Sequence, residues 1–240
     1  MKRAYYSNSI QNYLLGTESS ILGELTASHS NRNLDELQIS AWRKQITILK
    51  NQLEGFEGQI YFEFAIPRMG KRVDNIIIIN DIVFVIEFKV GDGGYEKYAI
   101  EQVMDYTIDL KNFHEGSHHT KLIPVLVATN AEDYTESISN VISYDSVAKS
   151  NQHNIAATLI AFINNDEEPI DIEYWGNSIY KPTPTIVEAA QALYKGHNVK
   201  EITRSDSGTI NLSKTADCIN SVIESSKYNS LKSICFVTGV

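Results

Sequence analysis

Cysteine is nearly absent from this sequence: Cys218 and Cys235 are the only two among 240 residues. Two thiols supply no disulfide framework and fit a reducing, cytoplasmic setting. An apolar leader is missing too, since Met-Lys-Arg is followed by Ala-Tyr-Tyr-Ser-Asn-Ser rather than by the greasy core of a signal peptide. No run can span a bilayer, because the most apolar stretch is broken by Asn80-Asp81. Positive charge is scarce: 21 Lys and Arg against 30 Asp and Glu leave a net charge of −9. That balance argues against a general nucleic-acid binder, whose footprint is a basic patch. Repeats, low-complexity tracts and a nucleophile–His–acid triad are also missing. What is there is a chain 42% hydrophobic, enough for one substantial core and a smaller appendage.

The pattern along the chain predicts an α/β fold, a mixed sheet flanked by helices on both faces, with a smaller C-terminal connector region. Residues 1–40 are polar and rich in Ser and Asn, with one short helix near Ile10 to Leu15, and residues 1–34 read as a loosely packed arm. Residues 35–165 read as the core. Its first helix begins at Asp35 and carries an apolar stripe of Leu37, Trp42, Ile46, Leu49 and Leu53. Strands are expected at about 60–66, 73–79 and 82–88. Gly91-Asp92-Gly93-Gly94 reads as a turn, Tyr95 to Phe113 as a helix striped by Ile100, Val103, Met104, Ile108 and Leu110, and Leu122 to Ala128 as a buried strand. A short strand and a helix (Ile155 to Ile163) follow. Residues 166–240 read as the connector: a strand over Ile170 to Tyr174, an aromatic–proline link of Trp175, Tyr180, Pro182 and Pro184, and helices over Ile186 to Tyr194 and Leu212 to Ser226. His114, His118 and His119 lack the glutamate and helix of a zinc protease motif and read as solvated loop residues.

The chemistry concentrates in one hairpin. Two β-branched runs flank Asn80-Asp81, the signature of two strands joined by a tight turn. With a two-residue turn Ile79 faces Ile82, and counting outward sets Asp74 opposite Glu87. Lys89, two residues on, projects from the same face as Glu87. Facing carboxylates repel unless a proton or a cation bridges them, and a hard divalent cation with oxygen ligands resolves the repulsion. The plainer reading, a Lys89 ion pair at a strand end, stands beside it.

Asp74 and Glu87-Phe88-Lys89 resemble the signature of PD-(D/E)xK nucleases, whose fold is restriction-endonuclease-like. Gln102-Val103-Met104-Asp105-Tyr106 is similar to that family's later Gln-x-x-x-Tyr element. The acidic residue the family places upstream is matched by Glu63 or Glu54. Residues 54–130, the region from Trp175 to Arg204 and the segment from Cys235 to Val240 resemble the amino-terminal half of a bacterial nuclease–helicase fusion family. In that family a P-loop ATPase, akin to those of superfamily 1 helicases and Schlafen proteins, follows. Ser233 to Val237 then read as a buried strand and Thr238-Gly239-Val240 as the opening of a truncated phosphate loop, against the alternative of an ordinary edge strand.

The resemblance implies a Mg²⁺- or Mn²⁺-dependent nuclease acting on DNA, in DNA processing or in defence against foreign DNA. It implies that Asp74, Glu87 and the Phe88 carbonyl bind the metal, that Lys89 orients a water or stabilises charge, and that Gln102 and Glu63 complete the site. Its implied partners are nucleic acid and an ATPase half; no membrane is expected, and homo-oligomerisation is left open. Arg68, Lys71, Arg72, Lys89 and Lys97 would form a basic rim despite the acidic net charge. The alternative is an inactive domain of the same fold that binds nucleic acid, regulates an ATPase or assembles with partners.

Overall fold

The computed structural model describes residues 3–29, 35–66, 70–132, 146–164, 167–183 and 209–233. The chain divides into two units, residues 1–183 and 184–240. In the first, Ile79 pairs with Ile82 across the Asn80-Asp81 turn. Asn80 takes a φ of 52°, a left-handed conformation that asparagine tolerates better than most residues. The two strands of this hairpin, β3 (Arg72–Ile79) and β4 (Ile82–Lys89), are the centre of a six-stranded mixed sheet.

Strand order follows chain order. β1 (Tyr6–Ser9), β2 (Gln59–Ala65), β3 and β4 run antiparallel to one another, and β4, β5 (Lys121–Ala128) and β6 (Ala148–Ser150) run parallel. A parallel pair needs a crossover, and α4 (Lys97–Phe113) supplies it between β4 and β5. Every residue from Ile76 to Ile79 and from Ile82 to Ile86 is buried, because both faces of the central strands are covered.

One face packs against α1 (Ile10–Leu15), α2 (Glu18–Ser28), α3 (Glu36–Gln52) and α5 (Ile155–Ile160) through Tyr13, Leu25, Ile46, Leu49 and Leu159. The other packs against α4 and α6 (Ile172–Asn177) through Val103, Tyr106, Leu110 and Trp175. The expected α/β sandwich with helices on both faces is therefore present. In the second unit α7 (Thr209–Tyr228) covers the helix expected over Leu212 to Ser226.

Four expectations are corrected. Residues 3–29 are no loose arm: β1 pairs with β2, and Ile10, Tyr13, Ile21 and Leu25 are buried in the main core. Polar composition concealed this, because the side chains that reach the core are scattered among many Ser and Asn residues. Leu37 and Ile108 face solvent, being 76% and 49% exposed. Ile170 to Tyr174 is not a strand; Asp171 accepts a hydrogen bond from the Tyr174 amide and caps α6 instead. Trp175 is not part of a link but a core residue, 1% exposed, and the first unit runs to residue 183 rather than ending at 165. Arg68, the helix expected over Ile186 to Tyr194, and Cys235 with the rest of the C-terminal segment lie outside the described residues.

Candidate active site

β3 and β4 stay paired from the turn to Asn75 and Ile86. Past that point β3 keeps to β2 as far as Arg72 and Ala65, while β4 keeps to β5 as far as Lys89 and Ala128. The strands part at Asp74 and Glu87, the next facing positions, so the predicted register holds and the carboxylates sit in a fork. Within the fork the Phe88 N–H donates to Asp74 Oδ2 at 2.8 Å.

The fork coincides with a roll of the strands. Phe62 and Phe64 are two residues apart yet pack into opposite cores, and Glu63 between them has a φ of 53°. Val73 and Ile76 are three apart yet share one core, so β3 turns over at the same level. A glutamate in this left-handed region costs about 1–2 kcal/mol and needs compensation. It comes from α3, whose Trp42 Nε1 and Gln38 Nε2 donate to Glu63 Oε1 at 2.8 and 3.1 Å.

On the α4 side Gln102 organises the other members. Its Nε2 donates to Glu87 Oε1 at 2.8 Å and to the Tyr106 hydroxyl at 2.9 Å, while its Oε1 accepts from Lys89 Nζ at 3.0 Å. The spacing of four residues puts Gln102 and Tyr106 on one helix face. The amide orientation follows from its neighbours, since the opposite one would aim N–H groups at an ammonium. Lys89 Nζ also lies 3.2 Å from Glu87 Oε1 and 5.6 Å from the Tyr98 ring centre.

Glu87 is 5% exposed, and its second oxygen, Oε2, is buried with no hydrogen-bond partner. Burial, then the charge of Asp74, pushes the Glu87 carboxyl well above the usual range, and Lys89 and the Asp74 backbone amide only partly oppose this. Burial, then the charge of Glu63, pushes Asp74 up as well, against the Phe88 amide, Lys89 and the Gln45 amide. Glu63 is raised by burial, which its bond from Trp42 and the charge of Arg72 oppose. An uncompensated buried carboxylate oxygen is a costly state that a bound cation relieves.

Asp74, Glu87, Phe88, Lys89 and Gln102 are thus brought together. Glu63 comes within electrostatic reach of Asp74 and Glu87, but its carboxylate is held by α3; Glu54 is exposed just past the end of that helix. Among the described residues no three His, Cys, Asp or Glu side chains could hold an ion between them. The donor set that fits a cation is two carboxylates and the Phe88 carbonyl, which suits a hard ion that keeps water in its shell.

The anticipated basic rim is only partly there. Arg72 stacks its guanidinium 4.1 Å from the Tyr5 ring centre and donates to the Arg3 and Glu63 carbonyls, and Lys97 pairs with Glu101. Gln38 and Gln45 on α3 escaped the sequence reading, and Trp42 was placed in its apolar stripe without its bond to Glu63; the one signal was Gln45, an amide interrupting an otherwise apolar face. His114 is fully buried rather than solvated: its Nδ1 lies 2.8 Å from Ser117 Oγ, which accepts from Trp175 Nε1 at 3.1 Å. No helix of the described residues is long and apolar enough to cross a membrane. No protein-family model, curated protein or solved structure matches the chain.

Proposed function

We propose that the first unit is a metal-dependent phosphodiesterase of restriction-endonuclease-like fold that cuts DNA, working in the cytoplasm as part of a helicase–nuclease system. One observation carries the reading: in the strand fork Lys89 and Gln102 both bond Glu87 Oε1, while Oε2 is buried with no hydrogen bond of ordinary length and the nearby Asp74 backbone amide offsets only part of the repulsion from the Asp74 charge. Asp74, Glu87 and the Phe88 carbonyl would hold Mg²⁺ or Mn²⁺. Such an ion polarises a phosphoryl oxygen and lowers the pKa of a bound water. The chain's own part is positional and electrostatic. Asp74 and Glu87 are raised carboxylates that give up protons on binding a cation. Lys89, held by Glu87 and Gln102, offers its ammonium to the negative charge that develops on the phosphate. Gln102 fixes both of these side chains and is itself fixed by Tyr106. The alternative, an inert scaffold, would seat Lys89 against both carboxylates with no room for metal; here Lys89 bonds Glu87 and Gln102, and Asp74 Oδ2 accepts from the Phe88 N–H.

Labelled single- and double-stranded DNA incubated with Mg²⁺, Mn²⁺ or EDTA tests the reading. The wild type is expected to cut only with metal, and Lys89→Ala to lose at least a hundredfold, the scale of one electrostatic stabiliser. Calorimetric titration with Mn²⁺ supplies a second readout, in which Asp74→Asn binds no ion. Equal cutting by wild type and Lys89→Ala, or a metal affinity untouched by Asp74→Asn, would sink the assignment.

A further inference from the structure

The parallel half of the sheet ends in two lysine–tyrosine pairs. At the end of β4 the Lys89 ammonium lies 5.6 Å from the Tyr98 ring centre; on β6 the Lys149 ammonium lies 5.7 Å from that of Tyr95. Both lysines project on the α4 face. Lys89 bonds Gln102 of α4, and Lys149 lies between Ala148 and Ser150, both buried, with Ala148 in the core of the opposite face. β5 separates the two strands and Lys149 is level with Glu87 rather than Lys89, so two strand spacings and a two-residue offset put the two lysine backbone positions about 12 Å apart. Tyr95 is anchored by its hydroxyl, which donates to the Ser150 carbonyl at 3.1 Å. Tyr98 is 59% exposed, one helical turn from Gln102 on the same stripe of α4.

We propose that these pairs form a track for single-stranded DNA leading into the fork, with Tyr98 stacking on a base beside the bond to be cut. The inference rests on the phosphodiesterase reading and names its substrate form. Cations alternating with aromatic rings are what a single strand needs: ammonium groups for the backbone and π-faces for unpaired bases. A ring 5.6 Å from the ammonium that faces the phosphate is within two nucleotide rises of about 3.4 Å each. In a duplex the base faces are already stacked, so Tyr98 would have no face to meet. Charge points the same way: duplex binding draws its affinity from many phosphate contacts, and the chain carries a net charge of −9.

The test is binding of a single-stranded oligodeoxynucleotide carrying 2-aminopurine, with Ca²⁺ or EDTA in place of Mg²⁺ so that nothing is cut. The wild type should bind the single strand more tightly than the matching duplex and change the probe's fluorescence. Tyr98→Ala should weaken single-strand binding about five- to a hundredfold, as expected for one stacked base. Tyr98→Phe should retain it, and Lys149→Ala should reduce both affinity and its salt dependence. Tyr98 is exposed, so an unchanged melting temperature separates lost stacking from lost fold. Duplex bound as well as single strand, or indifference to both Tyr98→Ala and Lys149→Ala, would overturn the track. Probe stacking on Tyr98 in a protein that never cuts DNA would uphold the track and refute the phosphodiesterase. Metal-dependent cutting untouched by Tyr98→Ala would do the reverse.

Discussion

Asp74 and Glu87 are carboxyls raised above their ordinary range in a fork that neither side chain can leave. A raised carboxyl binds more protons in the folded than in the unfolded chain, so its favourable contribution is complete in acid and is lost as pH rises through the folded value. The metal-free protein should therefore be strained at this site in mild alkali. Asp74→Asn removes one charge at nearly constant shape and should raise the melting temperature by a few degrees at pH 8 in EDTA, and by much less at pH 5. Melting curves across that range check the sign; a variant less stable than the wild type at pH 8 would show that Asp74 supports the fold rather than straining it. Added Mn²⁺ should stabilise the wild type at pH 8 and leave Asp74→Asn unchanged.

At the scale of elements, two contacts fix how the helices and strands meet. Gly58, at a φ of +136°, leads into β2 so closely that a Cβ there would lie 2.0 Å from the Ile78 carbonyl oxygen of β3. Neither space nor backbone admits a side chain. Gly58→Ala should cost about 3 kcal/mol or more, read by denaturant unfolding. Lys50, from the last turn of α3, donates to the Tyr13, Leu14 and Gly16 carbonyls at 2.7–2.8 Å and so closes the end of α1. Lys50→Met keeps the stem but leaves those carbonyls short of donors. A loss of about 1.5–3 kcal/mol follows from bonds to a charged donor. The first helices, missed as a packed element from composition, should then loosen before the sheet, with faster amide exchange in α1 than in β3.

For the whole molecule, two buried sites set opposite pH limbs. Burial, then the nearby charges of Arg3 and His118, holds His114 down to about 3 from its usual 6.5. Between those values the unfolded chain binds a proton the folded one refuses, so stability from this residue falls as pH drops. The fork carboxylates do the reverse, gaining as pH drops. The melting temperature of the metal-free chain should pass through a maximum in mildly acidic solution. His114→Phe should flatten the acid limb and Asp74→Asn the alkaline one. A profile whose acid limb is unchanged in His114→Phe would remove His114 from this account. Residues 1–183 form a unit of their own, so that segment alone should melt cooperatively and keep its Mn²⁺ affinity.

The sequence by itself determined the hairpin, its register and most of the candidate site. A two-residue turn between β-branched runs leaves one pairing that buries both faces, and side-chain period then dictates that Asp74 meets Glu87 and that Lys89 follows Glu87. Gln102 and Tyr106 were legible because helical spacing is as strict as strand alternation. Tertiary structure alone decided what surrounds them. The roll of β2 at Glu63, the bonds from Trp42 and Gln38 that turn this carboxylate toward α3, and the packing of residues 3–29 all join segments 20 or more residues apart. No local pattern encodes which distant face a buried amide or indole will find. The same holds for His114, whose loop looks solvated until Trp175 closes over it. Local periodicity places a residue on an element; only the meeting of elements decides which polar groups are left together in the dark.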